Sequence, residues 1–179
     1  AECIACVETD PRSQGVLAEK GYEVLSGLAG VDDARFTYIY TLNVLEHIED
    51  DEAVLSELFR VTRPGGQLFV YVPAFETLYT VMDAYVGHYR RYRMGELSDL
   101  LEAAGFYIEK QAYTDALGFF ATLGYKMLNR KSDGSLSMGA IRFYDRYFFP
   151  LSRMLSLPLA KVLGKNLYVL ASKPLNPRG

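Results

Sequence analysis

Apolar and polar positions divide the chain into short apolar runs separated by stretches of helical spacing. Ile4 to Val7 reads as a strand, broken by Glu8-Thr9-Asp10-Pro11. Asp10 can cap the free N–H groups of a following helix, and Pro11 suits its first position. That helix runs through Leu17 and Ala18 and ends near Gly21, with Tyr22 to Leu25 as a second short strand. Ser26 to Ala34, rich in Gly and Asp, is loop. Tyr38 to Val44 is apolar almost without interruption, as expected of a strand buried on both faces of a parallel sheet. Asp50 and Asp51 then stand where a helix macrodipole favours negative charge, and Val54, Leu55, Leu58, Phe59 and Thr62 recur at helical spacing. Arg63-Pro64-Gly65-Gly66 ends that helix, and Gln67 to Val72 returns as a strand.

The segment from Phe36 to Pro73 is therefore a strand–helix–strand crossover. Ligands of open parallel sheets sit outside the carboxyl ends of the strands, so the corner Asn43 to His47 is expected to touch one. Ala74 to Tyr92 is a long, irregular connection of the kind that usually carries function. Met94 to Ala104 predicts a helix striped by Leu97, Leu100, Leu101 and Ala104 and capped by Gly105, followed by a strand over Phe106 to Ala112. Residues 116–165 form an apolar, aromatic, helical block. Leu117, Phe120, Leu123, Gly124 and Met127 line one helix; Phe143, Tyr144, Tyr147, Phe148 and Leu151 line another, broken at Pro150 and Pro158. Leu167 to Ser172 is the last strand.

At 179 residues, half of them hydrophobic, the chain is expected to be a single domain over 1–179. Residues 1–112 supply the sheet and its helices, 113–165 a basic, aromatic helical insertion, and 166–173 the final strand. Cys3 and Cys6 share one strand, where a disulfide is geometrically awkward, so they read as thiols compatible with a cytoplasmic location. The net charge of −3 conceals an asymmetry, with −11 over residues 1–115 and +8 over 116–179. Arg142, Arg146, Arg153, Lys161 and Lys165 interleave with aromatic and leucine residues, a pattern compatible with peripheral contact to an anionic membrane through 140–165. A helical lid packed on the sheet or on a partner subunit is the simpler account of the same pattern. No stretch reaches the ~18 consecutive apolar residues of a spanning helix. No export signal is visible, and the chain starts at Ala1 almost inside a strand, which suggests a missing front end.

Chemistry-bearing residues gather at a few places. Glu8 ends the first strand, where an acid commonly accepts hydrogen bonds from the two hydroxyls of a nucleoside ribose. His47 is one of two histidines and can act as a base near neutral pH. No second ligand set stands at useful spacing, so no metal is expected. Gly87-His88-Tyr89-Arg90-Arg91-Tyr92-Arg93 concentrates arginines, which suit carboxylate or phosphate groups, among tyrosines that stack or donate. A basic loop solvated at the surface or paired with nearby acids is the plainer alternative. The acidity of residues 1–115 argues against a nucleic-acid partner.

Several motifs carry a resemblance. Phe36 to Phe106 resembles the second half of a class I S-adenosylmethionine-dependent methyltransferase of the type 11/12 kind. Asn43-Val44-Leu45-Glu46-His47-Ile48-Glu49-Asp50-Asp51 resembles the family's segment after its fourth strand, Arg63-Pro64-Gly65-Gly66 its turn after the next helix, and Leu97 to Phe106 its helix before strand six. Gly87 to Tyr92 and the closing segment Asn166 to Pro174 resemble those of a bacterial subset. The resemblance implies a Rossmann-like α/β sheet, mostly parallel with an antiparallel last strand, helices on both faces and a helical C-terminal insertion. It implies S-adenosylmethionine as cofactor, held by Glu8, Thr9, Leu28, Leu42, Asn43 and Val44. Methyl transfer to a small-molecule or lipid-linked acceptor would use His47, His88 and Tyr89 as catalytic candidates, with Arg90, Arg91 and Tyr92 binding the acceptor. Two departures accompany it. Thr37 stands where the family has Asp, and the acidic glycine-rich loop with its preceding strand has no counterpart here, so the chain reads as truncated. The expected sheet then has a gap, filled by an unobserved segment or by a second copy in a homodimer. The alternative reading is a truncated, catalytically inactive methyltransferase-like binding module. A nicotinamide-dependent enzyme is a third, but the G-x-G-x-x-G fingerprint is absent.

Overall fold

The computed structural model describes residues 4–128, 146 and 159–175. In order it carries β1 (Ala5–Val7), α1 (Pro11–Glu19), β2 (Glu23–Leu25), β3 (Phe36–Leu42), α2 (Asp51–Val61) and β4 (Thr62–Pro73). There follow α3 (Val81–Tyr85), α4 (Met94–Ala103), β5 (Tyr107–Thr114), α5 (Ala116–Leu128) and β6 (Asn166–Ser172). Short 3-10 turns stand at Leu45–His47 and Glu76–Leu78. β1 and β2 pair in parallel as a sheet of their own, and the larger sheet has the order β3-β4-β6-β5. β3 runs parallel to β4, whereas β6 is antiparallel to both β4 and β5. Only the last strand therefore reverses, which is the Rossmann-like α/β arrangement expected.

Local chemistry sets the helix starts. The Asp10 carboxylate accepts the Ser13 N–H at 2.9 Å with Pro11 in the first turn, and the Asp50 carboxylate accepts the Ala53 N–H at 3.0 Å. The segment Arg63 to Gly66 differs from expectation. It is a bulge inside β4 rather than a turn before it, because α2 passes straight into extended backbone at Thr62. Phe36 faces Thr62 but Tyr38 already faces Gln67, so the intervening residues are looped out of the ladder. Pro64 has no N–H to offer that ladder, and Gly65 takes the left-handed backbone (φ 78°) that the loop needs.

The core lies on one face of the larger sheet. Leu68, Val70 and Val72 of β4 and Leu167, Val169 and Ala171 of β6 are fully buried with Leu55 of α2 and Leu97 and Leu101 of α4. Truncating such a leucine costs about 2–5 kcal/mol. Phe59 meets Phe106 edge-on at 5.1 Å, and on the other face Phe69 stacks on Tyr168 at 5.8 Å. β3 corrects another expectation: Ile39 packs on the core, but Tyr38, Tyr40 and Leu42 are more than half exposed. It is an edge strand among the described residues, and β1–β2 does not pair with it. Arg35, just before β3, bonds both carboxylate oxygens of Glu23 and ties the two sheets together. In α5 the contact stripe is also displaced. Phe119 lies against Phe75 at 5.4 Å, while Phe120 and Met127 are exposed. This helix is apolar at almost every position, so periodicity alone does not single out a face. Cys6 is a free thiol, and Cys3 lies outside the described residues. So do the expected helix through Phe143 to Leu151 and most of the basic block 140–165. Among the described residues no helix is long and apolar enough to cross a membrane.

Candidate functional site

β3 ends at Leu42, and Asn43 turns the chain with a left-handed backbone (φ 52°), a conformation asparagine adopts more readily than most residues. Its N–H still donates to the Tyr71 carbonyl at 2.9 Å, which pins the turn to β4. The 3-10 turn that follows buries Leu45 and Glu46 and leaves His47 exposed. The connection from β4 to α4 folds back onto this corner. Phe75 N–H donates to Tyr92 O and Tyr92 N–H to Pro73 O, while Tyr89 N–H donates to Glu46 O at 2.8 Å. The two motifs singled out in the sequence, Asn43–His47 and Gly87–Arg93, thus meet.

Asp83, buried in α3, organises the meeting. It accepts the Thr80 N–H and hydroxyl at 2.8 and 2.9 Å, and it faces His88 Nδ1 at 2.8 Å. Arg91 donates from Nε at 2.9 Å and reaches it with a second nitrogen at 2.8 Å. Burial alone would raise the Asp83 pKa, but Thr80, the Arg91 charge and His88 together hold it below the ordinary aspartate value. The His88 backbone is clamped as well, its N–H donating to Asp83 O and its carbonyl accepting the Tyr79 hydroxyl at 2.6 Å. His47 and His88 meet edge to face, 4.6 Å between ring centres.

A second buried acid, Asp51, accepts the Tyr92 hydroxyl at 2.8 Å and pairs with Arg90 at 2.8 Å. Burial, and then Asp51 itself, push the Tyr92 phenol far above the usual tyrosine range, so it stays a proton donor. Glu46 is the exception to this satisfaction. It is fully buried, and among the described residues neither carboxylate oxygen has a hydrogen-bond partner. Burial raises its pKa above the ordinary glutamate value, only partly opposed by its own backbone N–H and then by the charges of His88, His47 and Arg91.

The residues anticipated from sequence fall into three places. His47, His88, Tyr89, Arg90, Arg91 and Tyr92 all reach the corner, with Tyr89 more than half exposed. Arg91 and Tyr92 differ from their expected place against an acceptor: both are buried, with their polar atoms bonded to Asp83 and Asp51, because the loop needs them to close on the sheet. Leu42 and Val44 are about half exposed beside Asn43, whereas Leu28 packs on the core and accepts Arg60 through its carbonyl. Glu8 and Thr9 stand at the carboxyl end of β1. There Glu8 Oε1 accepts the N–H groups of Thr9 and Asp10 at 2.8 and 2.9 Å, beside a shallow depression of about 340 Å³ lined by Glu8, Arg12, Ser13, Val16 and Leu17. The sequence did not point to Asp83, Asp51 or the burial of Glu46. The one available signal was Thr80 three residues ahead of Asp83, a helix-capping pair.

A family model for a methyltransferase domain matches residues 5–111. The chain belongs to that family. Within it, a Mycolicibacterium smegmatis protein named "Probable S-adenosylmethionine-dependent methyltransferase" is 36% identical over 106 residues, 58% of this chain. The match spans only 39% of that relative's length. Among solved structures, an S-adenosylmethionine-dependent methyltransferase from Archaeoglobus fulgidus covers 94% of this chain and 75% of its own, at 17% identity and TM-score 0.58. Haemonchus contortus phosphoethanolamine N-methyltransferase 2, solved with S-adenosyl-L-methionine, covers 95% and 43% at 16% identity and TM-score 0.57. The [4+2]-cyclase SpnF covers 97% and 68% at 17% identity and TM-score 0.57. At such identities the likeness establishes the methyltransferase-type fold, and the cyclase shows that one fold can host another reaction.

Proposed function

We propose that the chain contributes to an S-adenosylmethionine-dependent methyltransferase whose acceptor is a small molecule or a lipid-linked group. The observation that carries this reading is the corner at the carboxyl end of β3, where a strained Asn43 delivers Glu46 and His47 to the returning His88 loop, in a chain of the methyltransferase family. The cofactor's chemistry suits the residues present. Glu8 has one oxygen fixed by two backbone N–H groups and no partner for the other among the described residues, as an acceptor for sugar hydroxyls requires. Leu42 and Val44 offer exposed apolar surface that an adenosine moiety can cover. When bound, S-adenosylmethionine supplies an electrophilic methyl group whose departure leaves the electron pair on sulfur.

In this reading the chain's work is positioning. Glu8 orients the donor, and Thr9 and Asn43 shape the backbone around it. Tyr89 borders the acceptor, and Arg90, about one-third exposed, offers it positive charge. His47, on the exposed side of the corner, takes the proton that the attacking atom of the acceptor gives up. Calorimetric titration with S-adenosylmethionine and S-adenosylhomocysteine tests the reading. Saturable heat is expected for the chain, and Glu8→Ala is expected to lose about 1.5–3 kcal/mol, roughly ten- to a hundredfold in affinity. Absence of heat, or an unchanged Glu8→Ala, contradicts it. A binding module without methyl transfer is the second reading, favoured by the interruption of the sheet between β1–β2 and β3. Cofactor binding without consumption of the cofactor in the presence of candidate acceptors would support that reading instead.

A further inference from the structure

Glu46, His47 and His88 bring a carboxylate oxygen and two imidazole nitrogens within 4.8 Å of one another. His88 Nδ1 lies 2.8 Å from Asp83, so a proton on that nitrogen would leave Nε2 free to bind a cation. Nε2 is 3.9 Å from Glu46 Oε1, an oxygen that is buried and without a hydrogen-bond partner among the described residues. A shared proton would draw them to about 3 Å or less. Two ligands of one tetrahedral ion, each bonded at about 2.1 Å, stand ~3.4 Å apart, nearer to the 3.9 Å found.

We propose that Glu46, His47 and His88 form a site for one divalent transition-metal ion of the Zn²⁺ class, with Asp83 as the positioning residue behind His88. Two imidazoles and one carboxylate suit such an ion and are poor ligands for Mg²⁺ or Ca²⁺, which take oxygens. The outer support is already assembled: Asp83 is held by Thr80 and Arg91, and the His88 backbone is clamped on both sides. A carboxylate behind a ligating histidine is the usual second layer of metal sites. His47 is exposed, so the ion has an entry path. Linear spacing concealed the set, because its ligands come from two distant segments joined by the Tyr89 to Glu46 backbone bond. Three protein ligands leave a position open. Its use rests on the methyl-transfer reading and gives the bound ion, in place of His47 as a free base, the task of activating the acceptor: a hydroxyl bound there would release its proton to solvent more readily and attack as an alkoxide.

The test is titration of the tag-free, metal-stripped full chain with Zn²⁺ by calorimetry, and with Co²⁺ by visible absorption. One ion per chain is expected. Asp83→Asn should weaken binding roughly ten- to a hundredfold, and Glu46→Gln and His47→Ala should each weaken it further. Glu46→Gln replaces a buried carboxylate by a neutral group of the same shape, so its metal-free unfolding temperature should not fall. Zn²⁺ should raise that temperature in the wild type and not in Glu46→Gln. Failure of the wild type to bind Zn²⁺, or binding that survives both Glu46→Gln and His47→Ala, overturns the proposal. S-adenosylmethionine titration of the same samples separates the two ideas. Lost metal binding with cofactor heat intact contradicts the ion site alone, and the converse contradicts the methyl-transfer reading alone.

Discussion

Buried acids decide the geometry of this corner residue by residue: Asp51 and Asp83 find different partners, and Glu46 has none among the described residues. Asp51 shares the Tyr92 phenol and the Arg90 guanidinium, and the same phenol reaches the Leu45 carbonyl at 3.3 Å. Tyr92→Phe leaves a charged acceptor one donor short in a buried place and should cost about 1.5–3 kcal/mol in denaturant unfolding. A cost near zero would mean that the loop is not held through Asp51. At the surface, Asp10 caps α1, and its backbone and hydroxyl bonds from Ser13 lower its pKa below the ordinary 3.8. A folded pKa below the unfolded one makes the contribution fully present above the unfolded value, and it is lost as pH falls through the folded value. The stability gap between wild type and Asp10→Asn should thus be constant from neutral pH to about 4.5 and shrink in stronger acid. A gap independent of pH would remove the cap's ionic character. The histidines, arginines and Glu8 were legible in the sequence as chemistry-bearing types at strand ends. The burial of Glu46 and the part played by Asp83 were not, because both arise only when the loop after β4 closes on the corner after β3.

Individual elements were easier to read, since capping residues and periodicity act locally. Asp10-Pro11 and Asp50 start helices where the sequence suggested, and the α4 stripe of Leu97 and Leu101 lies in the core. The failures have physical causes. The apolar run of β3 suggests a doubly buried strand because such a run does not report how many neighbours its strand has. Arg63–Gly66 suggests a turn because proline and glycine mark both turns and bulges. In that bulge a Cβ on Gly66 would stand 2.9 Å from the carbonyl oxygens of Arg63 and Thr37, both backbone atoms. Gly66→Ala should therefore destabilise by about 1–3 kcal/mol, measured by thermal or denaturant unfolding. An alanine tolerated without loss would mean that the β3–β4 register is looser than the pairing indicates.

At the scale of the whole molecule, the described residues form a divided sheet. β4 and β6 are central, each paired on both sides and fully buried at alternate positions, whereas β1–β2 is a two-stranded pair and α1 buries no residue. Two-stranded sheets are marginal on their own. Native-state hydrogen exchange should show β4 and β6 amides opening near the global unfolding free energy and β1–β2 amides opening well below it. Equal protection of the two would show that the parts unfold as one. The fold class was legible through the crossover over 36–73 and the family resemblance; the strand order and the division depend on which strands find partners, which no local pattern encodes. It also bears on function, since the proposed donor site draws Glu8 from the smaller sheet and Leu42 to Val44 from the larger. Amide chemical-shift mapping during titration with S-adenosylhomocysteine tests that joint site most directly. The expected result is saturable perturbation at Glu8, Thr9 and Leu42 to His47, with β5 and β6 unaffected. Absence of perturbation, or changes confined to one of the two sheets, would contradict it.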